Sequence, residues 1–254
     1  MGLIVSLYTE IIYRPLLNGL VLIYGLLPYQ DLGLAIFVLT LIVRALLHPT
    51  IVQMLSSQRA MSALQPRLRE IQERFKSNRE EQTRQTLALY RSHGVHPFSM
   101  FVPLLVQLPV LIGLYHVFSR GIALADPALL YPFLPAVGHF NPVAFGLFDL
   151  TAKSLPLALA AGASQFLQSK LLAVPPSAPA AGAKGGADFQ KAITWQMTYF
   201  FPVFIAYISW SFPAAIAFYW TALNLLAIVQ QLAIQRRLDR ADHERHSRTP
   251  HPNP

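Results

Sequence analysis

The sequence predicts an all-α polytopic membrane protein with five transmembrane helices, a cytoplasmic helical hairpin and an N-terminal interfacial helix. Three observations predict it. The 254-residue chain is 54% apolar and only 13% charged, where a soluble protein carries about 25% charged residues. Its mean hydropathy is +0.40, and its apolar residues gather into runs of about twenty, the length a helix needs to cross a hydrocarbon core of about 30 Å. Its net charge is +8, from 20 Lys and Arg against 12 Asp and Glu, and those bases fall almost entirely on one side of the runs.

Taken in order, residues 1–33 form an outer tail and an amphipathic helix. Glu10, Arg14, Pro15, Asn18 and Pro28 interrupt the apolar stretch there, which suits a helix lying in the interface better than a sixth span. The first span is 34–52 and the second is 98–118. Between them, 53–97 is a basic cytoplasmic hairpin. Met54, Met61, Leu64, Leu68, Ile71 and Phe75 recur at helix-packing spacing, and Pro66 is expected to kink that helix. Asn78 followed by Glu81 caps a second helix, which Gly94 and Pro97 end. A solvated charged connector without a partner fits this pattern as well. The outer loop 119–153 is rich in proline and aromatics. The third span, 154–172, is diluted by Gly162, Ser164, Gln165, Gln168 and Ser169, so it is marginal and should thin the bilayer locally. Residues 173–194 are a flexible cytoplasmic linker by composition. Spans 195–212 and 214–235 are separated by Phe212 and Pro213 as a tight hairpin, and 236–254 is a basic cytoplasmic tail.

Orientation follows from the bases. The segments 53–97, 173–194 and 236–254 hold fifteen, and the opposite side holds Arg14 and Arg120, with Lys153 at the edge of the third span. That bias places the N-terminus outside and the C-terminus in the cytoplasm. The start Met1-Gly2-Leu3-Ile4-Val5-Ser6 matches a myristoylation pattern, but an outward N-terminus would not meet the cytoplasmic enzyme. The expected location is a prokaryotic plasma membrane, since no transit peptide is visible.

One residue is out of place. Arg44 stands inside the first span, where a guanidinium costs about 2.5–3.5 kcal/mol on insertion scales. The five spans contain no Asp or Glu; the nearest acids are Asp31, Asp149 and Asp188. A salt bridge within the spans is therefore not available. What remains is a hydrated cavity open to the cytoplasm, with Thr40, Gln107, Gln165, Gln168, Asn224 and Gln230 as candidate lining. Such a cavity attracts acidic or polar segments. The competing reading is that Arg44 snorkels to the cytoplasmic interface, although eight residues, about 12 Å of helix, separate it from Val52.

Other chemistries find no carrier. There is no nucleotide-binding loop, nucleophile elbow or metalloprotease motif, no cysteine and no nucleic-acid motif to accompany the bases. His93 and His96, like His243 and His246, stand three apart without further ligands and read as surface histidines. No metal, cofactor or enzymatic activity is expected.

Several pieces, in order and spacing, resemble the YidC/Oxa/Alb family of membrane protein insertases over about residues 8–236. Gly33 to Arg44 with Pro49 is similar to the family's first core helix and groove arginine. Gln65-Pro66, Leu89-Tyr90 and Gly94-Val95-His96-Pro97 resemble its hairpin. Pro103, Gln107-Leu108-Pro109-Val110 and Leu114-Tyr115 resemble the second helix. Phe148-Asp149-Leu150-Thr151, Leu155-Pro156 and Gln165 to Lys170 resemble the third. Met197 to Pro202, Phe212-Pro213-Ala214, Phe218-Tyr219-Trp220, Asn224 and Gln230-Gln231 resemble the last two. The resemblance implies an insertase that hydrolyses no nucleotide itself. Its groove, with Arg44, Gln165, Trp220 and Gln107, would hold a polar tail while the apolar segment slides into lipid along the second and fourth helices. Implied partners are newly made membrane proteins and lipid, with ribosome and Sec translocase left open; the core is expected to be monomeric. Pro213-Ala214-Ala215-Ile216 departs from the family in lacking a glycine two residues after the proline. Rival functions are a channel or lipid-moving protein using the same groove, and an assembly scaffold.

Overall fold

The computed structural model describes residues 2–94, 102–120, 129–134, 141–171 and 195–248. The linker 173–194, the hairpin exit from Val95 and the last residues of the tail lie outside them. The described chain is predominantly helical. In order, α1 (Gly2–Tyr8) runs through a π-helical turn (Thr9–Tyr13) into α2 (Arg14–Leu26), followed by α3 (Leu32–Leu46), α4 (His48–Ala63), α5 (Gln65–Arg74), α6 (Arg79–Ser92) and α7 (Val102–Arg120). After these come strands β1 (Val143–Ala144) and β2 (Phe148–Asp149), helix α8 (Leu155–Leu171), a second π-helical turn (Gln196–Phe200), α9 (Phe201–Ser211) and α10 (Ala214–Arg248).

Among the described residues one helix is by itself long and apolar enough to cross a membrane, Ala214–Ala241 within α10. Helices α3 and α4 pass that test only as a pair, bent by 60°. The bend has a cause in the sequence. Pro49 stands in the first turn of α4 and has no N–H to offer the carbonyl four residues back, so a continuous helix through it would lose that bond and clash. The chain stops at Leu47 and restarts.

The principal core lies among α2, α3, α7, α8, α9 and α10. Leu17, Leu20, Tyr24, Ile36, Ala161, Ala214 and Ala217 are all but inaccessible within it. Helix α8 packs along both α9 and α10. The N-terminal turn of α10 needs no glycine: the N–H groups of Ala214 and Ala215 donate to the carbonyls of Ala152 (2.8 Å) and Leu150 (2.9 Å), which satisfies two of the orphan donors of a helix start.

Helices α5 and α6 form an antiparallel hairpin over a small separate core of Met61, Leu64, Leu68 and Tyr90. Burial pushes the Tyr90 phenol above its ordinary range. The break between α4 and α5 falls at Leu64, and Pro66 occupies the first turn of the new helix, where a missing N–H costs nothing. Asn78 caps α6 by accepting from the Glu81 N–H at 3.1 Å. His93 closes α6: its Nδ1 lies 2.9 Å from the Leu89 carbonyl oxygen and its Nε2 lies 3.1 Å from Arg67 Nη1. The hairpin's root is tied to α10, since Arg59 donates to the Gln235 carbonyl at 2.8 Å and pairs with Asp239 at 2.7 Å.

The segment between α7 and α8 supplies the departure from an all-helical fold. Val143–Ala144 and Phe148–Asp149 pair antiparallel. In the three-residue connection 145–147, Phe145 (φ 53°) and Gly146 (φ 68°) both lie in the left-handed region, as a primed turn requires, and the Leu147 N–H closes it on the Ala144 carbonyl at 3.0 Å. Hydrogen bonds from the Thr151 hydroxyl and N–H hold the Asp149 carboxyl below its usual range. At the other end of the ribbon, Asp31 accepts from the Leu34 N–H at 2.8 Å as the cap of α3, and its second oxygen accepts from the Phe145 N–H. Gly33 permits this contact, because a Cβ there would meet Ala144 Cβ at 2.6 Å. Replacing Asp31 with alanine removes both bonds, and thermal unfolding in detergent should show about 2 kcal/mol of lost stability. An unchanged melting curve would show that the ribbon is not anchored there.

Candidate functional site

Helix α10 carries the polar side chains of the bundle interior on two adjoining stripes. Residues 219, 223, 226 and 230 recur at intervals of four, three and four and therefore share one face, while 220 and 224 share the next. On the first face, Tyr219 is buried and its hydroxyl accepts from Gln107 Nε2 of α7 at 2.5 Å. On the second, Trp220 donates its indole N–H to Gln165 Oε1 of α8 at 2.9 Å. One turn on, Asn224 Nδ2 donates to Ser164 Oγ at 3.1 Å, and Ser164 donates to the Ala161 carbonyl at 3.0 Å.

Arg44 belongs to the last turn of α3 and reaches across to the first face of α10. Its Nε and Nη2 donate to Gln230 Oε1 at 3.0 and 2.7 Å, and its Nη1 approaches the Leu223 carbonyl at 3.4 Å. Gln230 Nε2 in turn lies 2.9 Å from His48 Nδ1. None of the ion pairs among the described residues includes Arg44. Two neutral carbonyl dipoles and the negative end of the α3 dipole take the place of a counter-ion; the latter contributes about 0.3–1 kcal/mol where exposed.

A cavity of about 450 Å³ opens beside this cluster, lined by Leu41, Arg44, Ala45, His48, Leu226, Val229 and Gln230. That volume holds several water molecules. Its rim is apolar and outward-facing: Leu41 is 48% exposed and Val229 67%. A cation thus sits at the side of a groove between α3 and α10 whose outer edges face whatever surrounds the bundle.

The sequence offered Arg44, Thr40, Gln107, Gln165, Gln168, Trp220, Asn224 and Gln230 for the groove, and the structure sorts them into separate partnerships rather than one ring. Arg44 bonds to Gln230, Gln165 to Trp220, Asn224 to Ser164 and Gln107 to Tyr219. Thr40 is buried and donates its hydroxyl to the Ile36 carbonyl of its own helix at 2.6 Å, so that hydroxyl's proton is already committed. Gln168 is half-buried on α8. No buried side-chain nitrogen or oxygen among the described residues lacks a partner. The inward polar groups are thus largely spent on joining helices, and the open volume lies on the Arg44 side of α10.

Comparison with known proteins decides the family. The model of the 60Kd inner membrane protein family matches residues 23–241, which include every element from the end of α2 to most of α10. The chain belongs to this family. Its relatives include the membrane protein insertase MisCA of Bacillus subtilis, 30% identical over 86% of this chain and 76% of its own length. The membrane protein insertase YidC of Oceanobacillus iheyensis is 31% identical over 82% of this chain and 75% of its own. YidC of Histophilus somni is 34% identical over 90% of this chain, but only 37% of that longer protein is covered. The resemblance to YidC-type proteins read from the quoted motifs therefore holds.

One member of the Arg44 cluster was not singled out from the sequence of this 60Kd inner membrane protein homologue: Gln230 stands among the candidate lining residues, but His48 does not. The signal for His48 was present, since it stands four residues after Arg44 and so near the same helix face.

Proposed function

We propose that the protein is a membrane protein insertase that moves short polar tails of newly made membrane proteins through a cytoplasm-open groove at Arg44 while their apolar segments enter lipid. It is not an enzyme; the work is a change of solvent for the client, and no bond is made or broken. The family and the names of its relatives support the insertase reading. The observation that carries the finer reading is Arg44 held by neutral groups beside an open cavity, which leaves its full charge available to an acidic client.

In this reading five spans cross the membrane: the bent α3–α4 pair, α7, α8, the second π-turn with α9, and α10. The N-terminus lies outside, and α5–α6 stand on the cytoplasmic side with the end of α10, consistent with the Arg59–Asp239 pair. Helix α8 has 17 residues, about 25 Å of rise, short of a hydrocarbon core of about 30 Å. A thinned bilayer beside a wet groove shortens the dry path for a polar chain.

The test is reconstitution of this protein alone into sealed vesicles, with protease protection of a short acidic client tail and release of a trapped anion followed together. Tail protection without anion release is the expected result. Anion release without tail protection would overturn the insertase reading in favour of a channel, and neither signal would favour a scaffold.

A further inference from the structure

We infer that Gln230 is a built-in stand-in for the client's acidic group, occupying the arginine fork when no client is present, and that His48 is the positioning residue that holds it there. This deepens the reading of Arg44 as the receiver of acidic client groups and rests on it.

A guanidinium carries donors only, so the Gln230 atom facing Arg44 must be the amide oxygen. Arg44 Nε and Nη2 are the two parallel donors through which an arginine grips a carboxylate in bidentate fashion, and both converge on Gln230 Oε1, at 3.0 and 2.7 Å. The face that would receive an acidic group is thereby filled by a neutral mimic of one. With the oxygen committed, the amide nitrogen points the other way and approaches the Arg44 carbonyl at 3.5 Å and His48 Nδ1 at 2.9 Å. Both Gln230 Nε2 hydrogens are donors, so His48 Nδ1 must accept and its ring proton resides on Nε2. The imidazole thus fixes which end of the amide faces the arginine.

The arrangement suits a resting state. The guanidinium's bonds to the amide are already charge-assisted, and a carboxylate adds an opposite charge and a bidentate fit to them, so an arriving acidic group displaces Gln230. A neutral tail does not. The displaced amide needs a short excursion only, because the cavity adjoins it and the wall residue Val229 is mostly exposed. Specificity for acid over neutral polar tails then arises from competition with an internal ligand, and Arg44 is never left bare in an apolar setting, where an unpaired charge is costly.

The test uses the full-length protein in vesicles, with a photoreactive side chain at position 45 on the cavity wall and clients differing only in an acidic or neutral tail. Half-saturating client concentration for crosslinking is the readout. Gln230→Ala should lower it for the acidic tail by about tenfold and, with the fork vacated, should lower it for the neutral polar tail as well. Gln230→Glu, a permanent internal carboxylate of nearly the same shape, should raise it for the acidic tail by at least about tenfold. His48→Phe should shift it in the direction of Gln230→Ala, and His48→Asn, which keeps an acceptor, should restore wild-type values. Unchanged or weakened acidic-tail crosslinking in Gln230→Ala, with Gln230→Glu equal to wild type, overturns the stand-in. Arg44→Ala separates the two levels. If it abolishes the preference for acidic tails while the Gln230 variants behave as wild type, only the stand-in fails; if it leaves that preference intact, the reading of Arg44 fails with it.

Discussion

Replacing Arg44 with alanine is expected to reduce insertion of clients with acidic translocated tails by about 10- to 100-fold, the equivalent of one hydrogen-bonded charge interaction of about 1.5–3 kcal/mol. Clients with neutral tails should lose far less. The prediction follows from the surroundings of the guanidinium. Its partners are the Gln230 amide oxygen and the Leu223 carbonyl, so its charge is solvated by dipoles and not cancelled. Arg44→Lys keeps that charge but loses the planar fork, and should retain most insertion. The structure supplies a control as well. Gln230 and His48 remain in contact range of each other without Arg44, and the Tyr219, Trp220 and Asn224 pairs lie elsewhere on α10, so the alanine variant should fold. Insertion of small one- and two-span clients in cells depleted of the native protein measures the effect. Equal insertion of acidic and neutral clients by the alanine variant, at wild-type rate, would remove Arg44 from the mechanism.

What the sequence revealed and what it concealed divide along a physical line. Features set by local chemistry were legible. The apolar period of Met61, Leu64 and Leu68 marks a helix seam, and these residues form the small core of the α5–α6 hairpin. Asn78 with Glu81 three residues later marks a helix start, and the cap bond is there. A lone arginine in an acid-free apolar run announces itself, because the cost of burying it is large and has few remedies. Features set by contacts distant in the chain were not legible. Composition alone marks Thr40, Gln107, Gln165, Gln168, Asn224 and Gln230 as candidate lining of one cavity, because each is polar and lies in an apolar run. Which of them meets which depends on the rotation of α10, and neighbouring faces of that helix send Trp220 and Asn224 to α8 but Tyr219 and Gln230 elsewhere. Gln230 reaches Arg44 across 186 positions, a pairing that no local pattern encodes. The ribbon at Val143–Asp149 was hidden because its turn uses Phe145 at positive φ, a conformation that bulky residues rarely adopt.

The break at Leu47 lies between these cases. Pro49 was visible as part of the first span, and its effect on a helix is elementary. Reading hydropathy alone carried the span straight through it, because an apolar window does not register a change of direction. The 60° bend between α3 and α4 has a consequence for the site. It turns the chain just after Arg44 and brings His48, the first residue of α4, to Gln230 at 2.9 Å. A straight helix would still place positions 44 and 48 on similar faces, but the second would lie a full turn farther along the same axis.

The second large effect is expected at Gly162. In α8 this glycine faces α9 so closely that a Cβ would stand 2.8 Å from Ala206 Cβ and 3.0 Å from the Pro202 carbonyl oxygen. The oxygen belongs to a helix backbone and cannot move alone. Small residues at such crossings are what allow helices to associate in lipid, where apolar side chains gain little from leaving it. Gly162→Leu must push α8 and α9 apart, and should cost about 3 kcal/mol or more by overpacking, with a large fall in melting temperature in detergent. Gly162→Ala should cost about 1 kcal/mol, and adding Ala206→Gly should recover part of that, since the nearest obstacle is then gone while the Pro202 oxygen stays. The damage should spread to the polar layer. Ser164 and Gln165 follow on the same helix and bond to Asn224 and Trp220, and interhelical bonds of this kind contribute about 0.6–2 kcal/mol each. Insertion should therefore fall together with stability in Gly162→Leu, for neutral and acidic clients alike, whereas Arg44→Ala should fall chiefly for the acidic ones. A wild-type melting temperature for Gly162→Leu would mean that α8 and α9 do not cross at this glycine.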